Sequence, residues 1–230
     1  RISEICSELC IDWIFKSCFD KDCRSSKDSF HGVGIIEGLK ILSKVRDEFK
    51  IPVVSDFSDS TWAQETGEVC DLVQIPAYLC RQTSILKAAA STGKPLIIST
   101  GMASLGELEK AVLTARNSGC KDLILLKCTS TYPASPENTN IRTIPHLREL
   151  FDCGVGISDH TMGVGVSVSA VALGATVIEK HFTLSRSEGG VDSAFSLEPK
   201  EFKSLVIESQ RAWQSLGTVK YGPTEEKKFD

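Results

Sequence analysis

The sequence contains no apolar run that approaches 20 residues, the approximate length a membrane-spanning helix needs, and we expect neither a membrane span nor a signal peptide. It also contains no C-x-x-C pair, although nine cysteines are scattered through it. An odd number of dispersed cysteines argues against a disulfide framework and against a zinc site built from thiolates. These absences favour a reduced, cytoplasmic protein in which cysteine serves as a small hydrophobic residue.

Glycine-rich phosphate loops are absent as well, since neither G-x-G-x-x-G nor a P-loop pattern occurs. That absence argues against an open, doubly wound nucleotide-binding sheet, which stays as the alternative architecture. No excess of one charge exists either: 26 basic and 30 acidic residues are interleaved and give a net charge of −4. Nucleic acid and anionic membranes are therefore not expected as partners, because both bind concentrated basic surfaces.

Short apolar runs that alternate with helical patterns make up most of the 230 residues. Continuous apolar runs are typical of parallel strands buried on both faces, and the chain length is close to the roughly 250 residues of a (β/α)₈ barrel. The first helical pattern has no strand before it, so we predict an α/β fold, a (β/α)₈ TIM barrel lacking its first strand, in a chain that is itself a fragment. The seven predicted strands lie at 13–15, 53–54, 72–75, 96–98, 123–126, 155–157 and 176–178.

Helix boundaries carry recognisable signals. Ser104 and Glu107 form a capping-box pattern, and Pro199 occupies the favoured first turn of the last helix. We predict one barrel domain at 1–220, followed by a charged tail at 221–230 that would be a linker to an absent C-terminal domain.

Two predicted strands end close to a histidine, His160 and His181, and one helix-length segment at 163–175 separates them. A strand–helix–strand unit of this kind places its strands side by side and parallel, so both histidines would lie at the C-terminal edge of the sheet. In α/β barrels that edge holds the active site. Two neutral imidazoles there could hold a divalent metal that polarises a carbonyl group.

Polar residues also appear where the strands should stay apolar, two positions after an apolar residue of the same face. Burying such groups is costly unless they are paired or solvated, so we predict a polar cavity at the C-terminal mouth of the barrel. The residues concerned are Lys16, Asp56, Gln74, Ser99, Lys127, Ser158 and Glu179.

Cations and hydroxyls after the first predicted strand suit an anionic, phosphate-bearing ligand. This group comprises Lys16, Lys21, Arg24, Ser25 and Ser26, with Ser99 and Thr100 from a later strand. Together with the metal and the carboxylates Glu179 and Asp192, it suggests carbon–carbon bond formation or isomerisation on a sugar-like substrate. The alternative is Schiff-base chemistry on Lys127, as in lysine-dependent aldolases.

The first part of the chain, about 1–93, resembles 3-deoxy-manno-octulosonate-8-phosphate synthase. The motifs that carry this resemblance are FKSCFDKDCRSS at 15–26 and DLVQIPAYLCRQT at 71–83. From about residue 94 onward the chain resembles the sialic acid synthase family, through ISTGM at 98–102, KCTSTYP at 127–133, ISDH at 157–160 and EKHFT at 179–183. The motif GGVDSAFS at 189–196 is most similar to the pseudaminic acid synthase branch.

Both families share the barrel and one reaction, so the resemblance implies a carbon–carbon bond-forming transferase that condenses phosphoenolpyruvate with a sugar aldehyde and releases phosphate. The product would be a nonulosonic acid, such as pseudaminic or N-acetylneuraminic acid, made from an N-acylated hexosamine. The alternative is octulosonate-8-phosphate synthesis from arabinose 5-phosphate, and a further alternative is an inactive or ligand-binding barrel fragment. A divalent metal (Mn²⁺ or Mg²⁺) and a homo-oligomer are also implied.

Motif by motif, the resemblance assigns metal binding to His160 and His181, and catalysis to these two with Lys16 and Glu179. Substrate binding would fall to Lys21, Arg24, Ser25, Ser26, Asp56, Gln74, Arg81, Ser99, Thr129, Ser130, Tyr132, Ser158 and Asp192. Two family features are missing here: the metal-binding cysteine of many octulosonate synthases and the strand-one glutamate of the sialic acid family.

Overall fold

A computed structural model describes residues 1–20 and 31–222, and within them seven parallel strands form one sheet. The strands are β1 (Phe15–Lys16), β2 (Val53–Asp56), β3 (Leu72–Ile75), β4 (Leu96–Ser99), β5 (Leu123–Cys128), β6 (Gly154–Asp159) and β7 (Val177–Lys180). They pair in chain order from β1 to β7, each with the next. A doubly wound sheet reverses its strand order at a switch point, so that alternative is wrong. Most of the predicted tail lies outside the described residues.

Helices alternate with these strands as predicted. They are α1 (Ile2–Glu8), α2 (Ile35–Phe49), α3 (Ala63–Val69), α4 (Thr83–Ser91), α5 (Leu105–Asn117), α6 (Thr143–Phe151), α7 (Gly165–Ala172) and α8 (Pro199–Ser215). The predicted capping box is present, since the backbone N–H of Ser104 donates to the Glu107 carboxylate over 2.7 Å. Among the described residues, no helix combines the length and the apolar character needed to cross a bilayer.

The two faces of the sheet bury different apolar layers. The larger layer lies between sheet and helices and includes Val73, Ile98 and Leu125. A smaller layer on the opposite, concave face consists of Val54, Ile97 and Leu126, with the partly buried Leu72, Ile124 and Val177 packed against it. This second layer fills the lower interior of the barrel, so the polar side chains above it rest on an apolar floor.

The sheet is curled, because its first and last strands approach each other without pairing. Within the described residues β1 is paired only with β2, and β7 only with β6. Lys16 of β1 nevertheless reaches Glu179 of β7 with an Nζ–Oε1 distance of 3.0 Å. On the outside α1 packs against α8, where Lys203 pairs with Glu8 at 2.7 Å. The fold is a partial TIM barrel with seven strands.

Close packing inside the curl leaves no room for a side chain at Gly156 of β6. A methyl group built there would lie 2.3 Å from the Val177 carbonyl oxygen and 2.7 Å from Leu126. We expect Gly156→Ala to lower the free energy of unfolding by about 1–3 kcal/mol, the usual cost of overpacking. Urea denaturation followed by circular dichroism measures it.

The matched control is Gly106→Ala in the first turn of α5, where the added methyl meets no atom within 4 Å. That substitution should stabilise the protein by up to about 1 kcal/mol, because alanine is the better helix former. Equal effects of the two substitutions would contradict the close approach at Gly156.

Candidate active site

The interior face of the sheet changes from apolar to polar at one level. Asp56, Gln74 and Ser99 each lie two residues after a residue of the apolar floor, and therefore on the same face of the sheet. Register pairs Asp56 with Gln74 and Ser158 with Glu179 across neighbouring strands. The strands therefore deliver their polar residues to a common layer at the C-terminal mouth.

Glu179 is the centre of this layer. Its carboxylate accepts hydrogen bonds from Lys16 Nζ (3.0 Å), Gln74 Nε2 (2.9 Å) and Ser158 Oγ (2.9 Å). Lys16 lies 3.8 Å from a second carboxylate oxygen, on Asp56. One carboxylate on β7 thus connects the side chains of β1, β3 and β6.

Their pairing keeps both Glu179 and Lys16 charged. Burial would raise the pKa of the Glu179 carboxyl, but the positive charge of Lys16 and the three hydrogen bonds outweigh it and lower this pKa to about 2. Burial would lower the pKa of Lys16, yet Glu179 and Asp56 raise it above its ordinary value of 10.5. A carboxylate that stays ionised at neutral pH can accept hydrogen bonds but is a poor proton donor, so Glu179 orients its neighbours.

Gln74 carries an unsatisfied acceptor. Its Nε2 donates to Ser99 Oγ (3.1 Å) as well as to Glu179, which fixes the orientation of the amide. The side chain is 1% exposed, and Oε1 has no hydrogen-bond partner among the described residues. Because buried acceptors are nearly always satisfied, this atom is suited to a donor on a bound ligand or a water molecule.

The two histidines lie together beside this layer, with ring centroids 5.4 Å apart. His160 Nδ1 is 2.9 Å from the Thr129 carbonyl oxygen, which can only accept, so this nitrogen carries the proton and Nε2 keeps a free lone pair. Burial lowers the pKa of His160 below its ordinary 6.5, which favours the neutral ring. Donation of one ring N–H to a backbone carbonyl is the usual support of a metal-binding histidine.

The donor set fits a divalent metal held by two protein ligands. His181 Nδ1 lies 3.8 Å from Asp192 Oδ2, so a carboxylate is close to the second imidazole. In the part of the chain that the structure describes, no group of three or more histidine, cysteine or acidic residues is arranged to hold a metal. Two imidazoles would leave the remaining coordination positions to water and substrate.

Aromatic rings enclose the histidines from two sides. Tyr132 stacks near His160, with centroids 4.3 Å apart, and is 56% exposed at the rim. Phe195 is 4% exposed and packs 5.0 Å from His181. Sequence reasoning gave Phe195 no role, although it is the one aromatic residue in the polar segment 189–196.

The remaining predicted residues lie at several places. Ser130 Oγ lies 3.9 Å from the buried Cys128 thiol, at the end of β5. Arg81 is exposed and pairs with Glu107 of α5 at 3.3 Å. Four residues assigned to phosphate binding, Lys21, Arg24, Ser25 and Ser26, fall outside the described residues.

Lys127 does not lie in the mouth, and that prediction was wrong. Leu125, two residues earlier, belongs to the layer between sheet and helices, so Lys127 shares that outer face. Its Nζ donates to the carbonyl oxygen of Cys128 at 3.2 Å. The interior positions of β5 belong to Leu126 and Cys128. Schiff-base chemistry on Lys127 therefore has no access to the cavity.

The sequence matches one family model and several curated proteins. The model of the NeuB family matches residues 37–221. A pseudaminic acid synthase of Campylobacter jejuni is 42% identical over 147 residues, which are 64% of this chain and 43% of that protein. A 2-dehydro-3-deoxyphosphooctonate aldolase of Desulfotalea psychrophila is 34% identical over 208 residues, 89% of this chain and 74% of that protein.

A solved structure is similar over almost the whole chain. It is an N-acetylneuraminic acid synthetase of Leptospira borgpetersenii, with a TM-score of 0.82 and 28% identity, and the match covers 97% of this chain and 81% of that one. The chain spans about half the length of several curated relatives that it matches.

Removal of the central carboxylate should weaken the fold. We expect Glu179→Gln to lower the free energy of unfolding by about 3 kcal/mol, because Lys16 keeps only the more distant Asp56 and a partly buried charge loses its partner. Urea denaturation at pH 7 measures the change. In the matched control Glu208→Gln, which breaks an exposed pair with Arg211, the loss should stay below about 1 kcal/mol. Similar losses in both variants would refute the central role of Glu179.

Lys127→Met should leave the protein at least as stable as the wild type at pH 7. Burial lowers the pKa of Lys127, so folding at neutral pH has to bury a charge that prefers water. Above this lowered pKa the folded wild type binds fewer protons than the unfolded chain, so its stability rises toward pH 10.5 and the advantage of the variant shrinks.

Unfolding free energies at a series of pH values between 7 and about 10 test this trend, with the exposed Lys121→Met as control. A variant that is less stable than the wild type at pH 7, or an advantage of the variant that does not shrink toward higher pH, would contradict it.

Proposed function

The chain belongs to the NeuB family, and from that premise we propose that it is a transferase that condenses phosphoenolpyruvate with a sugar aldehyde. The sugar would be an N-acylated hexosamine and the product a nonulosonic acid, such as pseudaminic or N-acetylneuraminic acid, with release of phosphate. The observation that carries the proposal is the meeting of a polar, hydroxyl-rich layer, which contains the protonated Lys16, with two neighbouring imidazoles at one mouth of the barrel.

Phosphoenolpyruvate would bind at the polar layer. Lys16 stays protonated because its pKa is raised, and Ser99 and Ser158 present hydroxyls from β4 and β6. A cation beside hydroxyls is suited to hold a phosphate or carboxylate group. Glu179 would act as a positioning residue here, since it fixes Lys16, Gln74 and Ser158 before the ligand arrives.

The reaction balances as phosphoenolpyruvate plus aldehyde plus water giving the lengthened acid plus phosphate. Carbon 3 of phosphoenolpyruvate attacks the aldehyde carbon, water adds at carbon 2, and phosphate leaves with cleavage of the carbon–oxygen bond. Lys16 stabilises the negative charge on the phosphate throughout. A divalent cation held by His160 and His181, Mn²⁺ or Mg²⁺, would supply Lewis-acid polarisation of the aldehyde.

The sugar would lie at the rim, above the phosphate anchor. The rings of Tyr132 and Phe195 lie beside the imidazoles there and provide apolar surface. Ser130, which follows β5, and Asp192, in the segment between β7 and α8, provide polar atoms that could bind sugar hydroxyls.

Octulosonate-8-phosphate synthesis remains the second candidate. Its support is the relative of that class that matches 89% of this chain, more than the pseudaminic acid synthase does. For either reaction we propose a cytoplasmic homo-oligomer. The eight described cysteines are free thiols, as a reducing compartment would keep them.

Phosphate release decides between these possibilities. The protein is incubated with phosphoenolpyruvate, Mn²⁺ and either an N-acetylated hexosamine or arabinose 5-phosphate, and free phosphate is measured. We expect release with the hexosamine. Release with arabinose 5-phosphate alone would favour the second candidate, and none with either sugar would overturn the proposed activity in favour of a ligand-binding barrel.

Replacement of the two imidazoles should abolish the activity. His160→Ala combined with His181→Ala should reduce phosphate release by at least about 100-fold, since Lewis-acid stabilisation contributes several kcal/mol. The control is His146→Ala on the exposed face of α6, which should leave the rate unchanged. Full activity of the double variant would rule out a metal-dependent mechanism.

A further inference from the structure

A buried ion pair joins the ends of β6 and β7 directly behind the two histidines. Asp159 and Lys180 are register partners on these strands, and each immediately precedes a histidine of the site. Their Oδ2–Nζ distance is 2.9 Å, and the two side chains are 0% and 2% exposed. Because side chains alternate along a strand, this pair lies on the outer face while the histidines face the cavity.

The network of this pair encloses His160 on both sides. Asp159 Oδ1 accepts from the backbone N–H and the hydroxyl of Thr161, at 2.8 and 2.7 Å. Its Oδ2 accepts from Ser167 of α7 at 2.6 Å, as well as from Lys180. Lys180 also donates to the Thr161 carbonyl oxygen at 2.6 Å. Lys180, which precedes His181, therefore contacts both neighbours of His160, Asp159 and Thr161.

Stability alone does not account for such a pair. The free energy lost when two charges leave water usually exceeds the free energy gained from their attraction. Apolar residues of similar volume usually stabilise a fold as well or better. What a pair with every polar atom satisfied provides is a defined geometry. That geometry is imposed here at the one point where two histidines must keep a fixed separation.

We propose that the Asp159–Lys180 pair, with Thr161 and Ser167, positions His160 and His181 for joint binding of a divalent metal. The inference rests on the proposed function, since it concerns the metal assigned there. Both residues are positioning residues, because neither faces the cavity. Their effect on the imidazoles is transmitted through the backbone of β6 and β7.

The test is Mn²⁺ affinity, measured from the electron paramagnetic resonance signal of the free ion, without substrate or turnover. Lys180→Met should raise the dissociation constant at least about 10-fold, as loss of an outer-sphere partner of a metal ligand typically does. Asp159 would retain its three other hydrogen bonds, so the folded state should persist. Circular dichroism at the titration temperature checks it.

Thr176→Val is the matched control. Thr176 Oγ1 donates to the Val155 carbonyl oxygen at 3.0 Å and so links the same two strands at their opposite end. We expect this variant to lose thermal stability but to bind Mn²⁺ within about 2-fold of the wild type. Weakening by the same factor in both variants would show general loosening of the strands and overturn the positioning role.

If Lys180→Met does not fold, Ser167→Ala replaces it, because that change removes one hydrogen bond and leaves the ion pair. It should raise the dissociation constant about 3-fold, and unchanged affinity would overturn the proposal. Wild-type affinity in Lys180→Met overturns this inference alone. Failure of the wild type to bind Mn²⁺ overturns the metal site itself, and this inference with it.

Discussion

The hydrogen bond and charge pair between Lys16 and Glu179 is the contact on which the shape of this molecule depends. The first and last strands of the described sheet have no backbone hydrogen bonds to each other, so this side-chain pair connects them inside the barrel, while α1 packs against α8 outside. Burial makes this contact strong and also makes both charges depend on it, as the lowered pKa of Glu179 shows. The contact between the first and last strands is thus also the centre of the polar layer.

Ser158 connects the two halves of the site. Its hydroxyl donates to Glu179 at 2.9 Å and lies 3.4 Å from His160 Nε2. The polar layer and the imidazole pair are consequently neighbours that meet at this hydroxyl. If a ligand displaced Glu179, the Ser158 hydroxyl would be free to donate to His160 Nε2 instead, so the two halves are expected to respond to each other.

Strand order, helix alternation and the polar mouth could be predicted from the sequence, because period-2 patterns show which residues share a face. Alternation did not predict the face of Lys127, because Leu125 and Leu126 are both apolar and a continuous apolar run does not show which of them faces inward. The sequence also did not predict the partners of Glu179. Lys16 lies 163 positions away along the chain, and the curl of the sheet brings the two residues together. The roles of individual site residues rest on resemblance and geometry together.

The apolar floor of Val54, Ile97 and Leu126 lies below the polar layer, on the side away from the C-terminal mouth. Under the proposed function, phosphoenolpyruvate at Lys16 and Ser99 would lie close to this floor, and the sugar would lie at the exposed Tyr132. With that arrangement the deeper ligand would enter first and the rim ligand would follow. Such an order of binding would make the steady-state kinetics of the proposed reaction ordered rather than random.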